Sequence, residues 1–558
     1  MLVLFLMVAY PFPSAPTEVW LVDVQPKGYA AFILFPHLKM IPLPVARPEQ
    51  LFLGVQYQVT PGSNGFELPV TLFTDKIGAM TSLGSGITQS GNQDIGKYSA
   101  DTSEWLGNFG WEGDVIHPHV LLRMSPNACL RPIGMSGWKT VDDSEGNSRN
   151  FWDTAMTTDH QMHLVLYRPN QSSGYVFAGL TMLWSWGLDD WATLHKFGGP
   201  LVSRVDQRLQ TITRNMLQAA EAGSFGNDCS KPIKLSYHFA KTGNGVNSMS
   251  MILKEGDFPG RWSTLSITQQ NQQAFLTPDP SATAALGDWA VVSEAYNLFV
   301  VDVNGDGRAD LIAKEKNAPG LWYVAINQDN SFQPKPFPWL SGWAVVSEAY
   351  NLFVADVNAD GRADLIAKEK NAPGNWYVAL NTGANFVPQP SPWLSGWAVV
   401  SEAYNLFVVD VNGDGRADLI AKEKNAPGLW YVAINQDNSF QPKPFPWLSG
   451  WAVVSEAYNL FVADVNADGR ADLIAKEKNA PGNWYVALNT GANFVPQPSP
   501  WLSGWAVVSE AYNLFVVDVN ADGRADLIAK EKNDPGNWDL ASSNGRSFVP
   551  QSEHFFEP

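Results

Sequence analysis

The second half of the chain alternates short apolar segments with polar turns, and this pattern repeats every 54 residues. The segment WAVVSEAYNLFV begins at Trp289 and recurs at Trp343, Trp397, Trp451 and Trp505. Apolar runs bounded by Gly, Asn, Asp and Pro are typical of β-strands. Each unit therefore predicts four short strands, which in the first unit are 296–302, 310–314, 321–326 and an outer segment reaching 337.

Repeated four-stranded units predict a mainly β architecture, a β-propeller of six or seven blades. The five complete units are 289–342, 343–396, 397–450, 451–504 and 505–558. A divergent unit, 229–288, precedes them, because LKEGDFPGRW from Leu253 aligns with AKEKNAPGLW from Ala313. A seventh blade would need strands from the preceding region, so the sequence leaves the blade number open between six and seven.

Residues 1–228 show no repeat and predict a separate, mixed β-rich domain with one clear helix. In that helix the apolar residues recur at the helical period, and Gly223 marks its end; they are Leu201, Val205, Leu209, Ile212 and Met216. Residues 1–15 begin with an apolar segment that suits a secretory signal, although no basic residue precedes it. The alternative for this segment is a buried first strand.

The composition excludes some classes of function. With 37 Lys and Arg against 55 Asp and Glu, the net charge is −18, and such a surface repels nucleic-acid phosphates. No apolar stretch is long enough to predict a membrane span. Cys129 and Cys229 allow at most one internal disulfide, and the sequence does not decide whether they are bonded.

Every complete unit contains the loop D-V-N-x-D-G-R-A-D, which carries the most specific chemistry in the chain. Loop positions 1, 3, 5 and 9 supply side-chain oxygens, and position 7 can supply its carbonyl. This is the front half of an EF-hand loop, a set of hard oxygen donors suited to Ca²⁺. The predicted ligands are Asp302, Asn304, Asp306, Arg308 and Asp310; Asp356, Asn358, Asp360, Arg362 and Asp364; Asp410, Asn412, Asp414, Arg416 and Asp418; Asp464, Asn466, Asp468, Arg470 and Asp472; and Asp518, Asn520, Asp522, Arg524 and Asp526.

The alternative is a plain hairpin turn, since Asp-Gly between apolar runs is a strong turn signal. Three carboxylates in one loop repel one another unless a cation lies between them, which favours calcium. Position 12 is Ala313 rather than Glu, so the loop is not a complete EF-hand. In the divergent unit the aligned positions carry Thr242, Asn244, Val246 and Ser250, so we expect no metal there.

The loop and the apolar strand before it resemble the FG-GAP/VCBS repeat of integrin α-chain propellers, bacterial surface proteins and fungal propeller lectins. The resemblance covers 289–558 closely and 229–288 weakly, and residues 1–228 lie outside it. It implies that the loop joins the first two strands of a blade and binds Ca²⁺ structurally. The fold alone does not determine function, because it serves lectins, adhesion receptors and non-catalytic modules of enzymes.

Each blade also carries aromatic residues that could stack on sugar rings. The candidates are Trp322, Tyr323, Trp376, Tyr377, Trp430, Tyr431, Trp484 and Tyr485. For any single tryptophan, packing between blades is the favoured interpretation, because alternation along a strand buries every second residue. In the last unit Asp539 replaces the tyrosine, so any site that uses the pair is altered there.

The leading hypothesis is a secreted or cell-surface, calcium-stabilised propeller that binds glycans or glycoproteins at several similar sites. The first alternative is a secreted enzyme whose catalytic domain lies in 1–228, with the propeller as its targeting module. The histidines of that region form two pairs but complete no metal signature, and they are His117, His119, His160 and His163. The second alternative is an integrin-like adhesion module. The sequence assigns no catalytic residue.

Overall fold

This computed structural model describes residues 235–556 almost continuously. The gaps are 244–248, 256–261, 271–272, 277–283, 287–288, 290–295, 317–319, 329–330, 371–374, 426–427, 479–481, 506, 508 and 533–536. Before residue 235 the structure describes twelve strand segments and residues 128, 211, 214 and 215. The chain divides into two compact units, the first of 1–235, 255–263 and 280–289, and the second of 236–254, 264–279 and 290–558.

The first unit contains a six-stranded antiparallel sheet with strand order β12-β11-β9-β4-β5, in which β10 also pairs with β9. Its longest pairing runs along β9 and β11, from Trp138 opposite His160 to Cys129 opposite Arg168. The strands before residue 235 are β1 (Val3–Leu4), β2 (Val22–Asp23), β3 (Gln56–Val59), β4 (Val70–Leu72), β5 (Gln93–Ile95), β6 (Lys97–Ser99), β7 (Glu104–Leu106), β8 (Gly113–Val115), β9 (Cys129–Asp142), β10 (Ser148–Trp152), β11 (His160–Arg168) and β12 (Val176–Ala178).

Several sequence predictions fall partly outside the described residues. Of the predicted helix, Thr211, Arg214 and Asn215 are helical, and Asn215 is buried. Cys129 is buried and disulfide-bonded; Cys229, the only other cysteine, lies outside the described residues. The same holds for His117, His119, the helix residues Leu201, Val205, Leu209, Ile212 and Met216, and most of the segment 1–15.

The strands from β13 onwards form a β-propeller of six antiparallel blades, which resolves the choice between six and seven. Blades II to VI each have four strands in sequential order, and blade I has the order β13-β14-β15-β16, with β17 paired to the start of β15. Blade I comprises β13 (Leu235–Lys241), β14 (Met249–Glu255), β15 (Trp262–Gln270) and β16 (Gln273–Leu276), and β17 is Ala284–Leu286.

The five repeated blades share one strand pattern. Blade II has β18 (Tyr296–Val301), β19 (Asp310–Glu315), β20 (Trp322–Gln328) and β21 (Ser331–Pro334); blade III has β22 (Tyr350–Ala355), β23 (Asp364–Glu369), β24 (Trp376–Asn381) and β25 (Phe386–Pro388); blade IV has β26 (Tyr404–Val409), β27 (Asp418–Glu423), β28 (Trp430–Asn435) and β29 (Phe440–Pro442); blade V has β30 (Tyr458–Ala463), β31 (Asp472–Glu477), β32 (Trp484–Asn489) and β33 (Phe494–Pro496); blade VI has β34 (Tyr512–Val517), β35 (Asp526–Glu531), β36 (Trp538–Ser543) and β37 (Phe548–Pro550).

The core lies between neighbouring blades. The second strand of each blade is buried on both faces, which explains its uninterrupted Leu-Ile-Ala sequence. In blade II, Ile312 and Trp322 belong to one cluster with Leu365 and Phe386 of blade III. Each blade therefore depends on its neighbours for the burial of its apolar face.

The ring closes where blade I meets blade VI. Tyr237 of β13 packs edge-on against Trp538, with ring centroids 5.1 Å apart. The backbone N–H of Leu276 donates to the carbonyl of Phe555 at 2.8 Å. These contacts show that the divergent unit, blade I, completes a closed ring of six blades.

Candidate functional site

The acidic loop joins the first strand of each repeated blade to the second, as predicted. In blade II the loop spans 302–310, and its pairing strands meet at Val301 opposite Asp310. Gly307 has φ +80°, a left-handed conformation that favours glycine. The five copies therefore lie at equivalent positions in blades II to VI.

Within the loop, Asp302 organises the backbone around its carboxylate. Its Oδ1 accepts the N–H of Gly305 at 2.7 Å, and its Oδ2 accepts that of Gly307 at 2.7 Å. Asp410 and Asp464 make the same pair of bonds in blades IV and V. The first aspartate thus winds the loop tightly and brings the later acidic residues into it.

The ninth residue of the loop is a fully buried carboxylate. Asp310 is 0% exposed, and its two oxygens accept backbone N–H groups from Asn327 at 2.7 Å and Val303 at 2.9 Å. Burial raises the pKa of Asp310 from 3.8 to about 7, and the negative charges of Asp302 and Asp306 add to the rise. The equivalent aspartates of the other four loops have the same raised pKa, and they are Asp364, Asp418, Asp472 and Asp526.

Asp306, the fifth residue of the loop, forms an ion pair with an arginine of the same loop. Arg308 Nη2 lies 2.7 Å from Asp306 Oδ2, and the N–H of Arg308 donates to Asp306 Oδ1 at 2.9 Å. Burial alone would raise the pKa of Asp306, but these bonds hold it below the usual 3.8. The arginine side chain was not predicted to act in the loop, where only its carbonyl was assigned a role.

The loops also connect one blade to the next. The N–H of Ala363 in blade III donates to the carbonyl of Asp302 in blade II at 2.9 Å. Asn381 Nδ2 donates to the carbonyl of Val303 in blade II at 2.8 Å. Any change in loop conformation therefore reaches the neighbouring blade.

The predicted tryptophans do not face solvent. Trp322, Trp376, Trp430 and Trp484 are all 0% exposed. Each packs almost parallel to a phenylalanine of the first strand, as Trp484 does with Phe461 at 6.0 Å. The prediction that these tryptophans stack on sugars is wrong, because the blade core covers both faces of each indole.

The tyrosines next to these tryptophans are half-buried and converge on a carboxylate. In blade V, Tyr485 and Tyr458 each donate to Glu477 Oε1 at 3.4 Å, and their rings meet edge-on at 6.3 Å. We call this group the Tyr-Glu-Tyr cluster. Its members are Tyr296, Glu315 and Tyr323 in blade II; Tyr350, Glu369 and Tyr377 in blade III; Tyr404, Glu423 and Tyr431 in blade IV; and Tyr458, Glu477 and Tyr485 in blade V.

The cluster has two alternating forms. In blades III and V an asparagine donates to the second oxygen of the glutamate, as Asn483 does to Glu477 Oε2 at 2.8 Å. In blades II and IV the same position holds Leu321 or Leu429. Burial raises the pKa of the cluster tyrosines, and the nearby glutamate adds to the rise, so their hydroxyls stay protonated donors.

Blade VI departs from this pattern at the tyrosine that sequence analysis singled out. Asp539 occupies that position, and its Oδ1 lies 2.6 Å from His554 Nδ1. Tyr512 still donates to Glu531 at 3.1 Å. The cluster is therefore complete in four blades and altered in the fifth.

The family model for the FG-GAP-like repeat matches the chain three times, at residues 302–367, 356–421 and 464–529. Each match begins at the first aspartate of one loop and extends through the loop of the following blade. The chain carries FG-GAP-like repeats.

Other comparisons add structural likenesses. A lectin from Agrocybe aegerita, solved to explain specific recognition of non-reducing terminal N-acetylglucosamine, is 21% identical, with 60% of this chain and 82% of the lectin covered and a TM-score of 0.40. TolB from Acinetobacter baumannii is 11% identical, with 71% and 77% covered and a TM-score of 0.27. No curated protein matches the sequence.

The FG-GAP-like repeats imply calcium, and their residues fit the ion in donor chemistry. Each loop offers three carboxylates, an amide oxygen and a backbone carbonyl, which are the ligands that Ca²⁺ prefers. Among the described residues, the partners bonded to the buried carboxylate of Asp310 are neutral backbone N–H groups, which do not compensate its charge. Among the described residues, however, no three acid, His or Cys side chains converge closely enough to hold a metal. The loop residues therefore have the right donor atoms for Ca²⁺, but their side chains are not arranged around a common point that could hold the ion.

Sequence reasoning missed the glutamate of the cluster. The glutamate of the cluster follows the strand sequence DLIAK, and its pairing opposite Tyr296 places it beside the tyrosines. Strand register could have identified it, because the last residue of the second strand faces the first residue of the first strand.

Within the described residues, no helix is long and apolar enough to cross a membrane.

Proposed function

We propose that the propeller is a calcium-stabilised, extracellular module that binds glycans at several equivalent sites, the Tyr-Glu-Tyr clusters of blades II to V. The observation that carries this proposal is the convergence of two half-buried tyrosines on one glutamate in four successive blades. Aromatic rings offer flat apolar faces to a sugar, while a carboxylate and hydroxyls exchange hydrogen bonds with its hydroxyl groups.

Repetition supports multivalent rather than single-site binding. Blades II and IV are identical in sequence, as are blades III and V. Identical sites on one rigid ring engage several sugars of one surface at once, so weak individual contacts give strong total binding. Two cluster forms, with and without the asparagine, give two related affinities.

Calcium has a structural role in this proposal. The residues that would hold it are the aspartates and the asparagine of each loop, together with the position 7 carbonyl. When bound, the ion compensates the buried carboxylate, and five ions cancel 10 of the 18 net negative charges. The loops bond to the neighbouring blades, so this compensation stabilises the ring that carries the clusters.

The extracellular setting is supported by chemistry in the first unit. The disulfide at Cys129 suits an oxidising compartment, because thiols remain reduced in the cytosol. FG-GAP-like repeats are typical of extracellular proteins. The apolar segment 1–15 is consistent with the same assignment.

The test measures binding of the full chain to immobilised glycoproteins, with free sugars as competitors. The test variant changes Glu315, Glu369, Glu423 and Glu477 together to Gln, which keeps the shape and removes the charge. The control variant changes the exposed Glu348, Glu402, Glu456 and Glu510 to Gln. We expect the test variant to lose binding and the control to retain it, since avidity collapses when every site is weakened. A folded test variant with normal binding would refute the assignment of the sites.

A further inference from the structure

The junction that closes the ring contains a cleft whose lining differs from the repeated pattern. The cleft has a volume of about 460 Å³ and is lined by Phe275, Leu276, Ser552, Glu553, His554, Phe555 and Phe556. We call it the closure cleft. It lies between the outer strand of blade I and the segment that follows the outer strand of blade VI.

Backbone bonds give the equivalent positions at the repeated junctions. Leu276 N donates to Phe555 O just as Phe440 N donates to Trp393 O. The prolines that stand in blades II to V at the positions of Ser552 and His554 are therefore replaced by polar residues. Phe275 takes the place of a serine or asparagine, such as Ser439.

The histidine of the cleft is held by a second departure from the repeat. Asp539, which stands where blades II to V have tyrosine, accepts a hydrogen bond from His554 Nδ1 at 2.6 Å. An ionised carboxylate can only accept, so in the neutral ring the proton lies on Nδ1 and a lone pair remains on Nε2. His554 thus presents an acceptor to a ligand.

The floor and rim of the cleft differ in polarity. Leu276, Phe555 and Phe556 are buried and form an apolar floor, and Phe275 is a half-buried aromatic wall. Ser552 and Glu553 lie exposed at the rim. Glu553 has no ion-pair partner among the described residues, and no Lys or Arg lines the cleft.

From this arrangement we infer that the closure cleft binds an organic cation, an ammonium or guanidinium group on an apolar body. The apolar body would cover the floor, and the cationic group would meet Glu553 and the face of Phe275. An anion is disfavoured, because the described carboxylates at the cleft are Glu553 in its lining and Asp539 bonded to His554. A neutral polyol would cover Glu553 without compensating its charge, which costs desolvation energy.

The probe is phenethylamine, and its neutral counterpart is 2-phenylethanol, which has the same ring and chain. Binding to the full chain is measured by calorimetry and by ligand-observed NMR. We expect the amine to bind at least about tenfold more tightly than the alcohol, since only the amine forms a charge-assisted hydrogen bond with Glu553. Added salt weakens amine binding and leaves alcohol binding unchanged.

Three variants locate the binding. Glu553→Gln removes the preference for the amine, and Glu402→Gln, an exposed glutamate outside the cleft, retains it. Phe275→Ser, which restores the residue of the repeated junctions, weakens both probes, with circular dichroism confirming the fold. The inference is wrong if amine and alcohol bind equally, if a free sugar displaces the amine, or if neither probe binds below about 10 mM. It does not rest on glycan binding by the four Tyr-Glu-Tyr clusters, so either proposal can fail alone.

Discussion

The repeated junctions and the closing junction achieve the same packing with different residues. Between blades III and IV, Trp393 packs against Phe440 at 5.6 Å, and Asn435 Nδ2 donates to Val357 O at 2.7 Å. At the closing junction, Phe555 and Leu276 replace the tryptophan and phenylalanine, and Gln269 donates to Val519 O at 3.3 Å. Two further amides, those of Gln273 and Gln551, also bond across this junction. Ring closure therefore uses complementary shape and side-chain amides rather than the repeated sequence itself.

The difference separates what closure needs from what the repeat adds. Blade I keeps a fully buried lysine, Lys254, equivalent to Lys314 of blade II, but lacks the acidic loop. In place of a carboxylate pair, Thr242 and Ser250 share a hydrogen bond of 2.8 Å. The acidic loop is thus dispensable for one blade of the ring, which indicates that the loops serve something beyond closure.

Calcium removal is expected to have the largest effect and to act most strongly on blades II to VI. Saturating calcium stabilises each site by about 2.7 kcal/mol at 100 times Kd, so five sites together dominate the stability. In EDTA the melting temperature should fall, and hydrogen exchange should increase in the five loops while β13–β16 change less. Elemental analysis should find five ions per chain. An unchanged melting curve would identify the loops as turns only.

The stability of the chelated protein should depend on pH through the buried aspartates. The native pKa of Asp310 and its four counterparts is about 7, above the unfolded value of 3.8. Between these values the native state binds more protons, so the free energy of unfolding rises as pH falls from 7 towards 4. This contribution is lost as pH rises through 7.

Each aspartate adds up to about 1.4 kcal/mol per pH unit to that slope, and denaturant titrations at several pH values measure it. The calcium-loaded protein is the control, because the bound ion keeps the carboxylates ionised and flattens the dependence. Equal slopes with and without calcium would mean that the ion does not contact these groups.

Much of this architecture follows from sequence, because the repeat fixes strand length and register. The 54-residue period and the turn positions predicted the four strands of each blade and the place of the acidic loop. The blade number did not follow, since the contact of Tyr237 with Trp538 joins residues 301 positions apart by sequence number. Strand alternation favoured burial of each single tryptophan, but it does not show which of two adjacent aromatic residues faces the next blade, so the sequence also left the tryptophans as candidates for sugar stacking.

A core substitution should distinguish the tryptophans from the tyrosines beside them. Trp430→Ala removes a fully buried indole and should lower the free energy of unfolding by about 3–5 kcal/mol. Tyr431→Phe removes only a half-buried hydroxyl bonded at 3.5 Å to Glu423 and should cost about 1 kcal/mol or less. Urea unfolding measures both values. Comparable costs for the two variants would mean that the blade core does not depend on the indole.

The smallest expected effect is on the free energy of unfolding, when the side-chain amide of a repeated junction or of the closing junction is removed. Asn435 Nδ2 donates to Val357 O at 2.7 Å and to Ala417 O at 3.1 Å in a buried setting. Asn435→Ala leaves buried carbonyls without these donors and should cost about 1–3 kcal/mol. Gln269→Ala removes one longer, partly buried bond, which water can replace, and should cost less than about 1 kcal/mol. Unfolding of both variants in urea at one pH and calcium concentration gives the two values. A larger cost for Gln269→Ala would show that this single bond, rather than apolar packing, holds the ring closed.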